Sequence, residues 1–103
     1  FLLEDGVVNG APVLPEGWVK RASQPNIING EEVEYGFMLW PEMNAQGSIH
    51  EDAYEAVGIF GQFIYVNPRE NVVIVVWSAR SKPEATTVIA EADFFAAMTH
   101  ALR

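Results

Sequence analysis

The sequence predicts an α+β fold, an antiparallel sheet with a C-terminal helix packed on one face. Three observations carry that prediction. Two apolar runs rich in β-branched and aromatic residues, Gln62 to Val66 and Val72 to Ser78, flank the connection Asn67-Pro68-Arg69-Glu70-Asn71, whose composition is that of a turn. Apolar residues then recur at helical spacing towards the C-terminus, at Val88, Ala92, Phe95, Ala96, Thr99 and Leu102. The order of these segments gives a layer of antiparallel strands with helices on one side.

Taken in chain order, Phe1 to Asp5 reads as the last turn of a helix capped by Gly6. Val7-Val8-Asn9-Gly10 with Val13-Leu14 reads as two extended pieces around an Asn-Gly turn. Pro15 suits the first helical position, and Glu16 places a negative charge near the positive end of a short helix over Gly17 to Ala22, with Trp18 as its anchor into the core. Ser23 to Asn26 ends that helix, and Asn29-Gly30-Glu31-Glu32 is a turn exposed to water. Val33 to Trp40 is expected as one strand stopped by Pro41, weakened at Gly36 unless another group approaches the backbone there. Glu42 to Ala53 lacks apolar periodicity and reads as a surface loop. The hairpin follows. Its second run, Val72 to Trp77, shows no alternation, so it is expected as a central strand covered on both faces. Ser81 to Glu84 is a linker, and a helix is expected from about Ala85 to Leu102.

Length and composition limit what such a chain can do. At 103 residues it is a single domain, 1–103, able to bury about 60% of its extended surface. Half its residues are hydrophobic and 19% are charged, which is the composition of a globular protein. A net charge of -8 repels phosphate backbones and disfavours nucleic-acid partners. The absence of cysteine excludes disulfides, thiolate metal sites and cysteine nucleophiles together. The longest apolar run falls far short of the ~20 residues needed to span a bilayer, so no membrane partner is expected, and the compartment stays open between cytoplasm and export.

The hairpin opens with Gly58-Ile59-Phe60-Gly61-Gln62, and two glycines at the head of a strand mark either a bulge or a backbone that something approaches closely. This element, followed by an apolar strand, a turn centred on Asn-Pro and a Val/Ile-rich strand, resembles the third active-site motif and its hairpin in penicillin-recognising serine hydrolases. Within that class C β-lactamase-like family, the chain is most similar to the 6-aminohexanoate-dimer hydrolase and esterase branch. Phe1 to Gly10, Leu14 to Ser23 and Tyr35 to Trp40 are similar to the segments that precede the motif. The resemblance implies the C-terminal part of a β-lactamase/transpeptidase-like fold. Its parent would hydrolyse a small amide or ester through an acyl-serine intermediate. The chain's abrupt start at Phe1 suggests a fragment, whose missing N-terminal part is its first expected partner.

The family's nucleophile lies in Ser-x-x-Lys, which is absent, since Ser78 is followed three residues later by Ser81 and Lys82 comes one position too late. Tyr65-Val66-Asn67 matches Tyr-x-Asn by letter but ends a hairpin strand, so no catalytic role is expected for it. The resemblance instead assigns Ala56, Val57 and Gly58 to the substrate-binding Lys-Thr-Gly or His-x-Gly triplet, and the amide of Ile59 to one of two oxyanion donors. Gly58 would let the substrate lie against the strand. Alanine at 56 lacks the lysine cation that holds an anionic carboxylate, which points away from β-lactams. His50, Glu51 and Asp52 are adjacent and cannot all face one ion, so they read as a solvated acidic loop, with no metal and no cofactor expected. Trp18, Trp40 and Trp77 are expected in the core. The competing reading is a non-catalytic binding module whose exposed strand edge pairs with another chain, including a second copy of itself.

Overall fold

The computed structural model describes residues 1–83 and 87–103. Its N-terminal turn closes with Asp5 N donating to Leu2 O (3.2 Å) and Gly6 N to Phe1 O (3.0 Å), the paired bonds that end a helical turn in a Schellman motif. Asp5, at φ 49, takes the left-handed position. Strands β1 (Val7–Val8) and β2 (Ala11–Pro12) then form a ribbon around Asn9-Gly10, and α1 spans Trp18–Ala22. A second ribbon pairs β3 (Asn26–Ile28) with β4 (Glu31–Val33) around Asn29-Gly30. At both turns the two central residues have positive φ, as the right-handed twist of two-residue hairpins requires.

The main sheet is a four-stranded antiparallel meander in the order β5 (Trp40–Pro41), β6 (Tyr54–Val57), β7 (Phe63–Asn67) and β8 (Val72–Val76). Its register places Glu55 between Trp40 and Tyr65, and Tyr65 between Glu55 and Ile74. One face therefore presents Glu55, Phe63, Tyr65, Val72 and Ile74, and helix α2 (Glu91–Leu102) covers it by inserting Phe95. Phe95 stacks on Tyr65 with centroids 4.6 Å apart and meets Phe63 edge-on at 5.8 Å. The opposite face presents Tyr54 and Val66, covered by Val19 of α1 and by Leu2, Leu3, Leu14 and Leu39. An α+β fold with antiparallel sheets and a C-terminal helix is thus present, but covering elements lie on both sides of the sheet.

Several expectations are corrected. Val33 to Trp40 is not one strand: β4 ends at Val33, and the chain turns through Gly36 and Met38 (φ 65) before β5 begins. The cause is α1, whose Ala22 carbonyl accepts from Phe37 N (2.8 Å) and lies so close to Gly36 that no Cβ would fit. Pro41 belongs to β5 instead of stopping a strand, as an edge position permits. The expected helix start at Ala85 lies outside the described residues, and Thr87 to Ala90 are not helical, so α2 begins at Glu91. Only Phe95 and Thr99 of the expected stripe are buried, while Val88 and Leu102 are exposed. None of the three tryptophans is in the core: Trp18 lies against Phe37, Trp40 against Tyr35, and Trp77 is 89% exposed.

The largest correction concerns β8. Among the described residues it is an edge strand, paired with β7 alone, and Val73 and Val75 on its second face are exposed. An unbroken apolar run marks a strand that can be buried on both faces, but coverage has to come from other segments. The described residues supply none for that face.

Candidate functional site

The connection from β6 to β7 is a three-residue hairpin loop, Ile59-Phe60-Gly61. Gly58 N donates to Gln62 O (2.7 Å), and Gly61 N donates to Gly58 O (2.9 Å). With Gly61 at φ +85, this is the geometry of a turn closed by a glycine bulge. The two glycines have separate tasks. Gly61 supplies the left-handed backbone, and the Arg80 and Ser78 side chains lie where its Cβ would be. At Gly58 a Cβ would stand 2.6 Å from Gln62 Oε1, so the space over that glycine is filled by the protein's own carboxamide. Gln62 Nε2 in turn donates to Ser78 O, and Arg80 N donates to Phe60 O (3.0 Å), tying the loop to the chain leaving β8.

The ladder's alternation determines which backbone groups are offered outward. Because Gly58 bonds directly with Gln62, the N–H and C=O of Val57 point away from β7. Pairing with β5 ends at Trp40 opposite Glu55, so that edge is bare beside Val57 among the described residues. Ile59 occupies the first central position of the turn, and among the described residues its amide has no hydrogen-bond acceptor. Ala56 exchanges its bonds with Ile64 of β7 and faces the opposite side of the sheet from Val57. Ala56, Val57, Gly58 and Ile59 thus form one continuous segment of strand edge and turn, though Ile59 is not itself in a strand.

Depressions flank this segment on both faces of the sheet. One, of about 330 Å³, is lined by Ala56, Gly58, Gln62, Ile64, Val75 and Trp77 and is mostly apolar. The other, of about 890 Å³, lies between the sheet and the start of α2 and is lined by Glu42, Glu55, Gly58, Ile59, Arg80 and Glu91 among others. Arg80 pairs with Glu91, and this hydrogen bond holds the Glu91 carboxyl below its ordinary range. Arg80 also lies over the Phe63 ring, 5.7 Å from its centroid. Burial pushes the Glu55 carboxyl up to about 8, reinforced by its hydrogen bond with Glu42 and by the charges of Glu42 and Glu91.

The remaining sequence candidates are structural. Tyr65 and Asn67 project into the α2 side of the core, where Asn67 Nδ2 donates to Tyr65 OH (2.9 Å) and to Ile49 O (2.7 Å). His50 Nδ1 lies 2.9 Å from the same phenol, so this imidazole serves the packing of the 42–53 loop. Glu51 accepts from Gly47 N and pairs with Arg69, which together hold its carboxyl low. Among the described residues, no three histidine, aspartate or glutamate side chains gather as a metal would require, and no helix is long and apolar enough to cross a membrane.

Sequence reasoning gave no site role to Glu42, Arg80 or Glu91, and Gln62 entered it only as the last residue of the glycine motif. Glu55 carried a usable signal, because alternation through Ala53, Glu55 and Val57 puts a carboxylate on a face otherwise apolar. No family model matches this sequence, and no curated protein matches it.

Proposed function

We propose that this chain is the C-terminal part of a β-lactamase-related serine hydrolase whose intact form cleaves an amide or ester, and that the chain alone is inactive. The observation that carries the reading is the incompleteness of the sheet at β8. That strand is apolar on both sides, yet among the described residues one edge is unpaired and Val73, Val75 and the neighbouring Ile64 are exposed. A further strand on that edge and a layer over that face would bury them.

The dimensions of the molecule support the same reading. Its accessible surface is 7257 Å², against about 5,800 Å² for a self-contained monomer of 11.4 kDa. Its radius of gyration is 14.5 Å, against about 13 Å for a compact chain of this length. The flank of α2 carrying Phe94, Met98 and Leu102 is also exposed.

In this reading, a serine of the missing part adds to the substrate carbonyl while its proton passes to a neighbouring lysine or tyrosine. The leaving group departs with a proton, and water releases the acid from the acyl-serine. Ile59, whose amide has no acceptor among the described residues, supplies one oxyanion donor, and such a donor is worth roughly 3 kcal/mol of barrier. Val57 presents its outer backbone edge to the substrate, beside Ala56 and Gly58. Alanine at 56 offers no cation to a carboxylate, which favours neutral amides and esters over β-lactams.

The test is to express the chain together with the coding sequence upstream of it and assay nitrophenyl esters, short amides and a chromogenic β-lactam. Hydrolysis of an ester or amide dependent on an upstream Ser-x-x-Lys is expected, with little turnover of the β-lactam. An upstream region without that motif, or a 103-residue chain that alone matches the longer protein's rate, would refute the assignment.

The open β8 edge also favours a second reading, a binding module that pairs edge to edge with another copy. Sedimentation of the isolated chain separates the two. A concentration-dependent dimer abolished by Val75→Lys supports edge pairing, whereas a compact monomer removes that reading.

A further inference from the structure

Glu55 enters the sheet at the centre of a row of large side chains, directly opposite Tyr65 on β7 and Trp40 on β5. Glu42 follows β5 and is held by its amide to Ala53 O (2.9 Å), which immediately precedes β6 and lies two residues before Glu55. The two residues therefore lie on the α2 side of the sheet, where both line the cleft beneath α2. Glu55 Oε2 is sealed from solvent, and no donor among the described residues reaches it. Two ionised carboxylates have only acceptors to offer, so Glu55 can hydrogen-bond to Glu42 only when one of them carries a proton.

The other charged groups around the cleft do not replace that proton. Arg80, from the chain after β8, is engaged by Glu91 and by the Phe63 ring. Glu91 and Asp93 of α2 add negative charge to the same cleft, and Tyr65 directs its hydroxyl to His50 and Asn67.

We propose that Glu55 stays protonated at neutral pH and donates its hydroxyl to Glu42, so that the shared proton latches the start of the 42–53 loop onto β6. Removing the proton in mildly alkaline solution loosens that loop. The inference concerns the fold of this chain and stands independently of the hydrolase reading. The direction of the effect follows from linkage. The folded chain holds a proton that the unfolded chain releases near 4.5, so the latch contributes fully in acid and is lost as pH rises through about 8. Between those values the unfolding equilibrium constant increases by at most about tenfold per pH unit from this one group.

The test needs no ligand. Carbon-13 NMR of the side-chain carboxyls in the wild-type 103-residue chain is expected to show Glu55 titrating near pH 8, and a midpoint in the ordinary range between 4 and 5 would overturn the proposal. Thermal melts between pH 5.5 and 9 supply the second measurement. Wild-type Tm should fall across that range, while Glu55→Gln, whose amide donates to Glu42 without titrating, should lose that fall and match or exceed wild type above pH 8. Parallel pH profiles for the two proteins would overturn the latch. The NMR midpoint stands on the wild type alone, so a variant that fails to fold leaves it decisive.

Discussion

Phe95→Ala gives the most direct test of how the helix is held. Phe95 is 1% exposed, stacks on Tyr65 and meets Phe63 edge-on, and Thr99 is the only other buried residue of α2. Truncating a buried phenylalanine costs about 3–5 kcal/mol through lost transfer energy and the cavity left behind. A domain of this size has roughly 5–15 kcal/mol in total, so the loss is a large fraction of stability. A 12-residue helix is also too short to persist in water without its docking face. The expected outcome is a Tm lowered by at least ~12 °C, taking about 4 °C per kcal/mol. Helical circular dichroism should fall, and hydrogen exchange should show α2 amides losing protection before those of β7. Phe94→Ala, at a position 40% exposed, is the control and should cost under ~1 kcal/mol. A Phe95→Ala chain that loses less than about 1 kcal/mol and keeps its α2 amides protected would refute the packing argument.

Three further outcomes are expected. Asn67→Ala removes donors to Ile49 O and Tyr65 OH and the acceptor for Glu70 N (3.0 Å) in a fully buried position, which should cost about 2–4 kcal/mol in urea unfolding; a change under 0.5 kcal/mol, roughly, would show the network to be incidental. Tyr54→Phe should be neutral or stabilising by up to about 1 kcal/mol, because the Tyr54 hydroxyl is buried with no hydrogen-bond partner among the described residues. Burial, aided by the nearby Asp5 charge, pushes that phenol up to about 12, so its stabilising contribution is lost as pH rises from 10.0, and a spectrophotometric titration that loses its last-ionising tyrosine in Tyr54→Phe is the check. On the acid side, Arg103 holds the Glu70 carboxyl low and Arg80 does the same for Glu91. Both contributions are present above the ordinary value of 4.5 and are lost as pH falls below it, so Glu70→Gln should flatten the acid limb of a pH-stability curve, and an unchanged limb would count against the Arg103 pair.

The sequence by itself determined the local structure: the β7–β8 hairpin with its Asn67 to Asn71 turn, the Asn-Gly turns, the irregular 42–53 loop and the existence of a C-terminal helix with Phe95 and Thr99 on its inner side. These features follow from alternation, helical spacing and the turn chemistry of a few residues, which act over short distances. It marked Gly36 as a weak point in an expected strand unless another group approached its backbone, and the Ala22 carbonyl does approach it, where the strand is absent. Only the tertiary structure decided which apolar surfaces are covered. Val72 to Trp77 has the residues of a central strand but lies at an edge, and Trp18, Trp40 and Trp77 have core side chains without core positions. The placing of Glu42 and Glu55 on one cleft, and the pairing of Arg80 with Glu91, were likewise settled by strand register and by where α2 docks. Burial and charge pairing depend on which distant segments arrive, and residue type states only what each side chain could tolerate on arrival.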